Sequence, residues 1–225
     1  MSASHDIQDP ELEAFRRRVR EALVAPEGWP LATLLPAPLV TALVVDAHEE
    51  DPDGRLESAL VEVSAALQRV GVPVGRQFAL LGGAPGARVR LDGMTVLRRS
   101  LTVLRHDPAR SFTAGRTPAG VPIELDDELR EAEAIVCIGR GEAAAGRVHG
   151  GPYLLVPGVA SQATRQAFAA RRAQDGERGA MAFALAAEAA APVDLALAWD
   201  GTGLNVRAGR GRTLFAALAR EAGLA

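Results

Sequence analysis

Residues 41–83 read TALVVDAHEEDPDGRLESALVEVSAALQRVGVPVGRQFALLGG, and the topology of the chain is written there. The stretch opens on a short, branched apolar run, TALVVDAH, of the kind that is buried on both faces of a parallel sheet. It passes an acidic loop and takes up helical periodicity over residues 54–70. RQFALLGG at 76–83 is a second buried run. Strand, helix and strand in this order predict a β-α-β unit with parallel strands.

The same alternation extends in both directions. Asp9 and Pro10 make a helix start, and Leu12, Phe15, Val19, Ala22 and Leu23 follow at helical spacing, which predicts an amphipathic helix over 10–24. A connector holding Pro26, Pro30, Pro36 and Pro38 leads from it to residue 41. Downstream, SLTVLRHD at 100–107 reads as a third strand, and FTAGRTPAGVPIEL as a hairpin turning at residues 117–120. DDELREAEA reads as a helix and AIVCIGR at 134–140 as a buried strand. The expected fold is α/β, a parallel or mixed sheet flanked by helices, with its ligand crevice outside the carboxyl ends of the strands. Those ends are residues 46–50, 82–85, 106–107 and 140–142.

Residues 160–172 are helical in pattern, and Asp175, Gly176, Glu177, Arg178 and Gly179 read as a linker. The expected division is therefore residues 1–175 as one α/β domain and 176–225 as a short α+β segment. That segment holds a helix (180–190), the strand VDLALAW, a turn at 200–203, the strand LNVRAG and a last helix. About 45 residues cannot cover Leu195, Leu197, Trp199, Leu214, Phe215 and Leu218 alone, so the segment must dock on the first domain or on another chain. A homo-oligomer is the expected solution.

Composition narrows the chemistry. The 225 residues carry 24% charged and 48% hydrophobic side chains and a formal net charge of −3, as a globular chain does. No lysine is present, so lysine Schiff bases, P-loop lysines and lysine-tethered cofactors are excluded. One cysteine, Cys137, and four histidines exclude an internal disulfide and a cysteine-rich zinc site. A pI of about 5.9 without a basic, aromatic-laced stripe argues against nucleic acid as a partner. The N-terminus has no leader pattern and no apolar run has spanning length, so a cytoplasmic protein with no membrane partner is expected.

Four features carry candidate chemistry. Asp46, His48, Glu49, Glu50 and Asp51 at a strand end suit a divalent cation or an acid and base pair, and equally a solvated loop. Arg105, His106 and Asp107 could fork an anionic substrate and move a proton. The loop GRGEAAAGRVHGG at 139–151 brings Arg140, Arg147 and His149 together with Gly150 and Gly151, whose amides could cradle a small anion. Its glycine spacing is not that of a dinucleotide fingerprint. Cys137, inside AIVCIG, reads as a buried structural thiol.

The stretch GRTPAGVPIELDDELREAEAIVCIG, followed by GGPYLLVPGVAS at 150–161, resembles the nickel-dependent lactate racemase family. The likeness covers the opening helix, the strand with Asp46, the LLGG strand end, His106 with Asp107, and the segment beginning that family's second domain. The family continues for about another domain's length beyond the matched part. The resemblance implies the cofactor, a nickel-pincer nucleotide tethered to a lysine. It also implies a histidine ligand to nickel and two proton-moving histidines. Matched by motif, Tyr153 stands at the tethering lysine and Ala169 at the nickel ligand. Ala84 and Ala143 stand at the two proton-transfer histidines, and Glu49 at a substrate-binding arginine that follows Asp46.

The expectation is thus a degenerate, truncated relative that has lost 2-hydroxy-acid racemisation, carries no cofactor and no metal, and acts as a pseudoenzyme, small-anion binder or partner subunit of a full-length relative. Asp46, His106, Asp107 and His149 remain the candidates for proton chemistry. Arg105, Arg140, Arg147, Gly150 and Gly151 are the candidates for an anion. The alternative is a divergent isomerase or related enzyme acting on a small hydroxy or oxo acid through a rebuilt site.

Overall fold

A computed structural model of the chain describes residues 9–24, 26, 29–35, 39–46, 53–83, 101–144 and 146–224. The helices are α1 (Pro10–Val24), α2 (Leu31–Leu34), α3 (Arg55–Arg69), α4 (Gln162–Ala190) and α5 (Gly211–Glu221). The strands are β1 (Thr41–Asp46), β2 (Gln77–Gly82), β3 (Thr102–Arg105), β4 (Ser111–Arg116), β5 (Pro122–Asp126), β6 (Ala134–Arg140), β7 (Ala143–Ala144), β8 (Arg147–Val148), β9 (Leu195–Trp199) and β10 (Val206–Gly209). Six of them form one sheet in the order β10-β9-β6-β1-β2-β3, and β4-β5 and β7-β8 are separate hairpins.

Within the sheet β1 pairs in parallel with β2 and with β6, β3 extends the β2 side, and β9 extends the β6 side. Only β10 runs antiparallel. The fold is therefore a mixed, mostly parallel α/β sheet. Alternate strand residues face opposite layers. Leu43, Val45, Val136 and Ile138 pack under α1 and α3, whereas Ala42, Val44, Ile135 and Cys137 pack under α4, α5 and the β4-β5 hairpin. No helix among the described residues is long and apolar enough to cross a membrane.

Two local expectations change. DDELREAEA is not an α-helix: only Asp127–Glu131 winds, as a 3-10 turn. The Asp126 carboxylate caps it by accepting the Glu128 N–H at 3.0 Å, and Ala132 is already extended. The N–H groups of Glu133 and Ala134 then bond to the carbonyl of Val40, so the chain is committed to the sheet too soon for a helix to propagate. Residues 175–179 are not an open linker either. They lie within α4, which breaks only at Gly176, where φ is 65° and ψ is −157°. Glycine adopts that backbone at no steric cost, so one residue makes the bend.

The part of the chain after residue 176 builds on the same sheet. β9 continues it beside β6, and α5 covers the face of α4. Leu195, Leu197, Trp199, Leu214, Phe215 and Leu218 are all buried by this chain's own core.

Candidate functional site

The chain leaves β1 toward β2 on one side, while β6 leads to β9 on the other, so the carboxyl ends of β1 and β6 form a topological switch point. Side chains there face a crevice that neither crossover covers. β1 ends on Asp46 and β6 on Arg140. Asp46 fits because its neighbour is a glycine: a Cβ on Gly139 would lie 2.7 Å from that of Asp46. The glycine-rich loop then folds as the β7-β8 hairpin, with the His149 N–H donating to the carbonyl of Glu142. Gly150, at φ 95°, turns the chain back so closely that a Cβ would meet the Arg140 carbonyl at 2.6 Å.

This path delivers His149 to Asp46. Its Nε2 lies 3.0 Å from Asp46 Oδ2, with the imidazole 48% and the carboxylate 13% exposed. The two residues are 103 positions apart in the chain. Val45, Gly82, Tyr153, Leu154 and Gly158 close the small cleft around the pair. Arg140 is half-buried at the end of β6, and Arg147 is exposed on β8. Gly150 and Gly151 are buried, Gly151 against Phe215.

The remaining candidates lie elsewhere. Arg105, His106 and Asp107 end the edge strand β3, which β2 separates from β1. The His106 ring is only 2% exposed. Its Nδ1 meets Asp126 Oδ2 at 2.6 Å and its Nε2 donates to the Ala160 carbonyl at 2.9 Å. Asp126 also accepts the Asp107 N–H, and Asp107 itself turns its carboxylate to the Ala109 N–H. Arg105 is exposed. His48, Glu49, Glu50, Asp51 and Ala84 lie outside the described residues. Among the described residues no three His, Cys, Asp or Glu side chains converge as a metal site would need. Cys137 is buried, and burial pushes its thiol up from the ordinary 9.0, which suppresses the thiolate.

Tyr153 is packed into the core beside this crevice. Its ring meets Phe168 and Phe215 edge-on at 5.7 and 5.2 Å, and its hydroxyl donates to Glu177 Oε1 at 2.8 Å. Burial, and then the Glu177 carboxylate, hold the phenol above its ordinary 10.0. Glu177 also takes two bonds from Arg172. Sequence reasoning misses Asp126 and Glu177, whose partners are distant and which look like solvated acids. It also misses Arg165, which joins the Gly83 and Gly158 carbonyls through Nη2. The one usable signal was the glycine at 176, which releases Glu177 from helical register.

The fold and crevice define a doubly wound α/β protein with a histidine-carboxylate pair at its switch point. No family profile and no curated protein sequence matches the chain. Among solved structures it is similar to the lactate racemase apoprotein from Thermoanaerobacterium thermosaccharolyticum, at 19% sequence identity and a TM-score of 0.66. The match covers 92% of this chain and 54% of that one, so the chain spans about half the length of that protein. The fold is lactate-racemase-like.

Proposed function

We propose that this chain is a lactate-racemase-like domain that has lost nickel-pincer-dependent racemisation and acts as a pseudoenzyme binding a small anion, alone or as a subunit beside a full-length relative. The observation that carries the reading is Tyr153. At the position matched to the tethering lysine stands a phenol, 4% exposed and engaged with Glu177 between two phenylalanines. A phenol cannot form the amide-type bond that an amine forms, and this one borders the crevice with its hydroxyl already spent on Glu177. Ala169, matched to the nickel ligand, is an exposed methyl on α4 with no donor atom. The residues present do not fit the cofactor.

Arg140 supports the anion, because a guanidinium at a parallel-strand end forks a carboxylate or phosphate without lysine. Intact-mass and metal analysis of the purified protein should give the unmodified mass and no stoichiometric nickel. A covalent adduct together with bound nickel would overturn the reading. In a thermal-shift panel of lactate, malate and phosphate, at least one should stabilise the chain, and Arg140→Ala should remove the shift.

A second reading, a divergent enzyme acting on a small hydroxy or oxo acid, is favoured by the Asp46–His149 pair. A largely buried carboxylate orienting a half-exposed imidazole suits general acid-base work. Exchange of a substrate α-proton with deuterated water, lost in His149→Ala, would select this reading over the first.

A further inference from the structure

A larger cavity lies at the opposite end of the sheet. Asp194, which precedes β9, exchanges backbone and side-chain bonds with Ile135 at the start of β6, and beside it opens a groove of about 850 Å³ between α4, α5 and α2. That volume falls within the ~300–1,000 Å³ typical of small-molecule sites. Met181 and Leu185 of α4 and Ala216 of α5 make an apolar wall. Glu188 lines the same space, although it is 7% exposed. Its carboxylate takes a backbone N–H from Val193, and no cation lies in ion-pair contact with it among the described residues.

Positive charge faces it across the groove. α5 begins here with Arg210 at its N-cap, where no side chain caps the helix. The first amide, that of Gly211, donates to the Val193 carbonyl, and those of Arg212 and Thr213 have no acceptor within the helix. Arg212 makes no ion pair among the described residues, and Arg210 lies 5.6 Å over the ring of Trp29. An anion alone would meet Glu188 and Asp194, and a cation alone would meet Arg210, Arg212 and Arg220. A molecule carrying both charges on one carbon, with an apolar body, satisfies every wall.

We infer that this groove binds a free α-amino acid with an apolar side chain. Its ammonium lies on the Glu188 carboxylate, its carboxylate on the Arg212 guanidinium and the backbone N–H groups of Arg212 and Thr213, and its side chain along Met181, Leu185 and Ala216. Burial above all, and then Asp194, hold Glu188 above its ordinary value, while Arg212 and the Val193 N–H oppose the shift. An ammonium group adds a positive charge on the α4 side of the groove, where Glu188 is the lining carboxylate.

The experiment is calorimetric titration of the full chain with L-leucine, 4-methylpentanoate (no ammonium) and 3-methylbutylamine (no carboxylate). Leucine should bind with a Kd on the order of micromolar to millimolar. Removing either charge should weaken binding about tenfold, the usual scale for a charge-assisted hydrogen bond. Glu188→Gln should weaken leucine while leaving 4-methylpentanoate unchanged, and Arg212→Gln should weaken leucine while leaving the amine unchanged. Ala216→Trp, at an exposed position, fills the groove without touching the core and should abolish the heat. Trp29 fluorescence, distinguishable from that of buried Trp199, should change on titration. The inference is overturned by no heat with leucine, by amine binding as tight as leucine, or by heat that survives Ala216→Trp. It is equally overturned by a concentration-dependent dimer that Ala216→Trp breaks while leucine gives no heat, which would assign the groove to a second copy.

Discussion

Among the described residues two histidine-carboxylate pairs stand at strand ends, and they differ in almost everything but composition. His106 and Asp126 are 2% and 3% exposed, and both ring nitrogens are spent, one on the carboxylate and one on the Ala160 carbonyl. His149 and Asp46 sit at the switch point with half the imidazole open. The first pair ties β3 to β5 and the loop before α4; the second faces solvent where a ligand can reach it. Identical side chains thus become brace or candidate acid-base group according to how much water remains around them. Breaking a buried pair strands a charge in low dielectric, whereas an exposed pair exchanges its partner for water.

Stability measurements test this contrast directly. His106→Ala should cost about 3–5 kcal/mol in denaturant unfolding, because Asp126 is left buried with only the backbone N–H groups of Asp107 and Glu128 to hold it. Tyr153→Phe should cost less, about 1–3 kcal/mol, since Glu177 loses a hydroxyl donor while the aromatic packing stays. His149→Ala should cost under about 1 kcal/mol and leave the circular dichroism unchanged. A loss there matching that of His106→Ala would abolish the distinction.

The smallest effect concerns a third buried carboxylate. Glu188 has a raised folded-state value, so ionising it opposes folding as pH rises above the ordinary 4.5. Glu188→Gln should therefore melt slightly higher than the native chain at pH 7, and the two curves should converge below about pH 4.5. Arg212, Asp194 and the Val193 amide surround the carboxyl group and are unaltered in the comparison. A gap that widens toward low pH would refute the assignment.

Much of the sheet was legible because its signals are local. TALVVD, QFALLG and AIVCIGR are apolar runs flanked by turn residues, and Pro10 with its helical spacing marks α1 to the residue. What failed was also local in appearance. DDELREAEA has helical composition but too little chain before Ala134, and Asp175 to Gly179 has linker composition but only one residue out of helical conformation. The crevice was half legible: Asp46, Arg140 and His149 stand out as polar residues at strand ends, yet no pattern in sequence says that His149, rather than His106, reaches Asp46. The groove beneath α4 and α5 was invisible, because Glu188 sits in an alanine-rich helix and its burial depends on elements remote in the chain.

The placement of β1 bears on how the protein can be made. Among the described residues it is the first strand of the sheet in chain order and one of the two at its middle, and its partner β6 follows only after β2, β3 and the β4-β5 hairpin have been synthesised. Until then one hydrogen-bonding edge of β1, with Leu43 and Val45 beside it, lacks its neighbour, which is the exposure that invites mispairing during translation. Contacts this distant in sequence also slow closure of the central pair. Synthesis halted before Ala134 should therefore yield a protease-sensitive nascent chain, and resistance should arise only once β6 has cleared the exit tunnel.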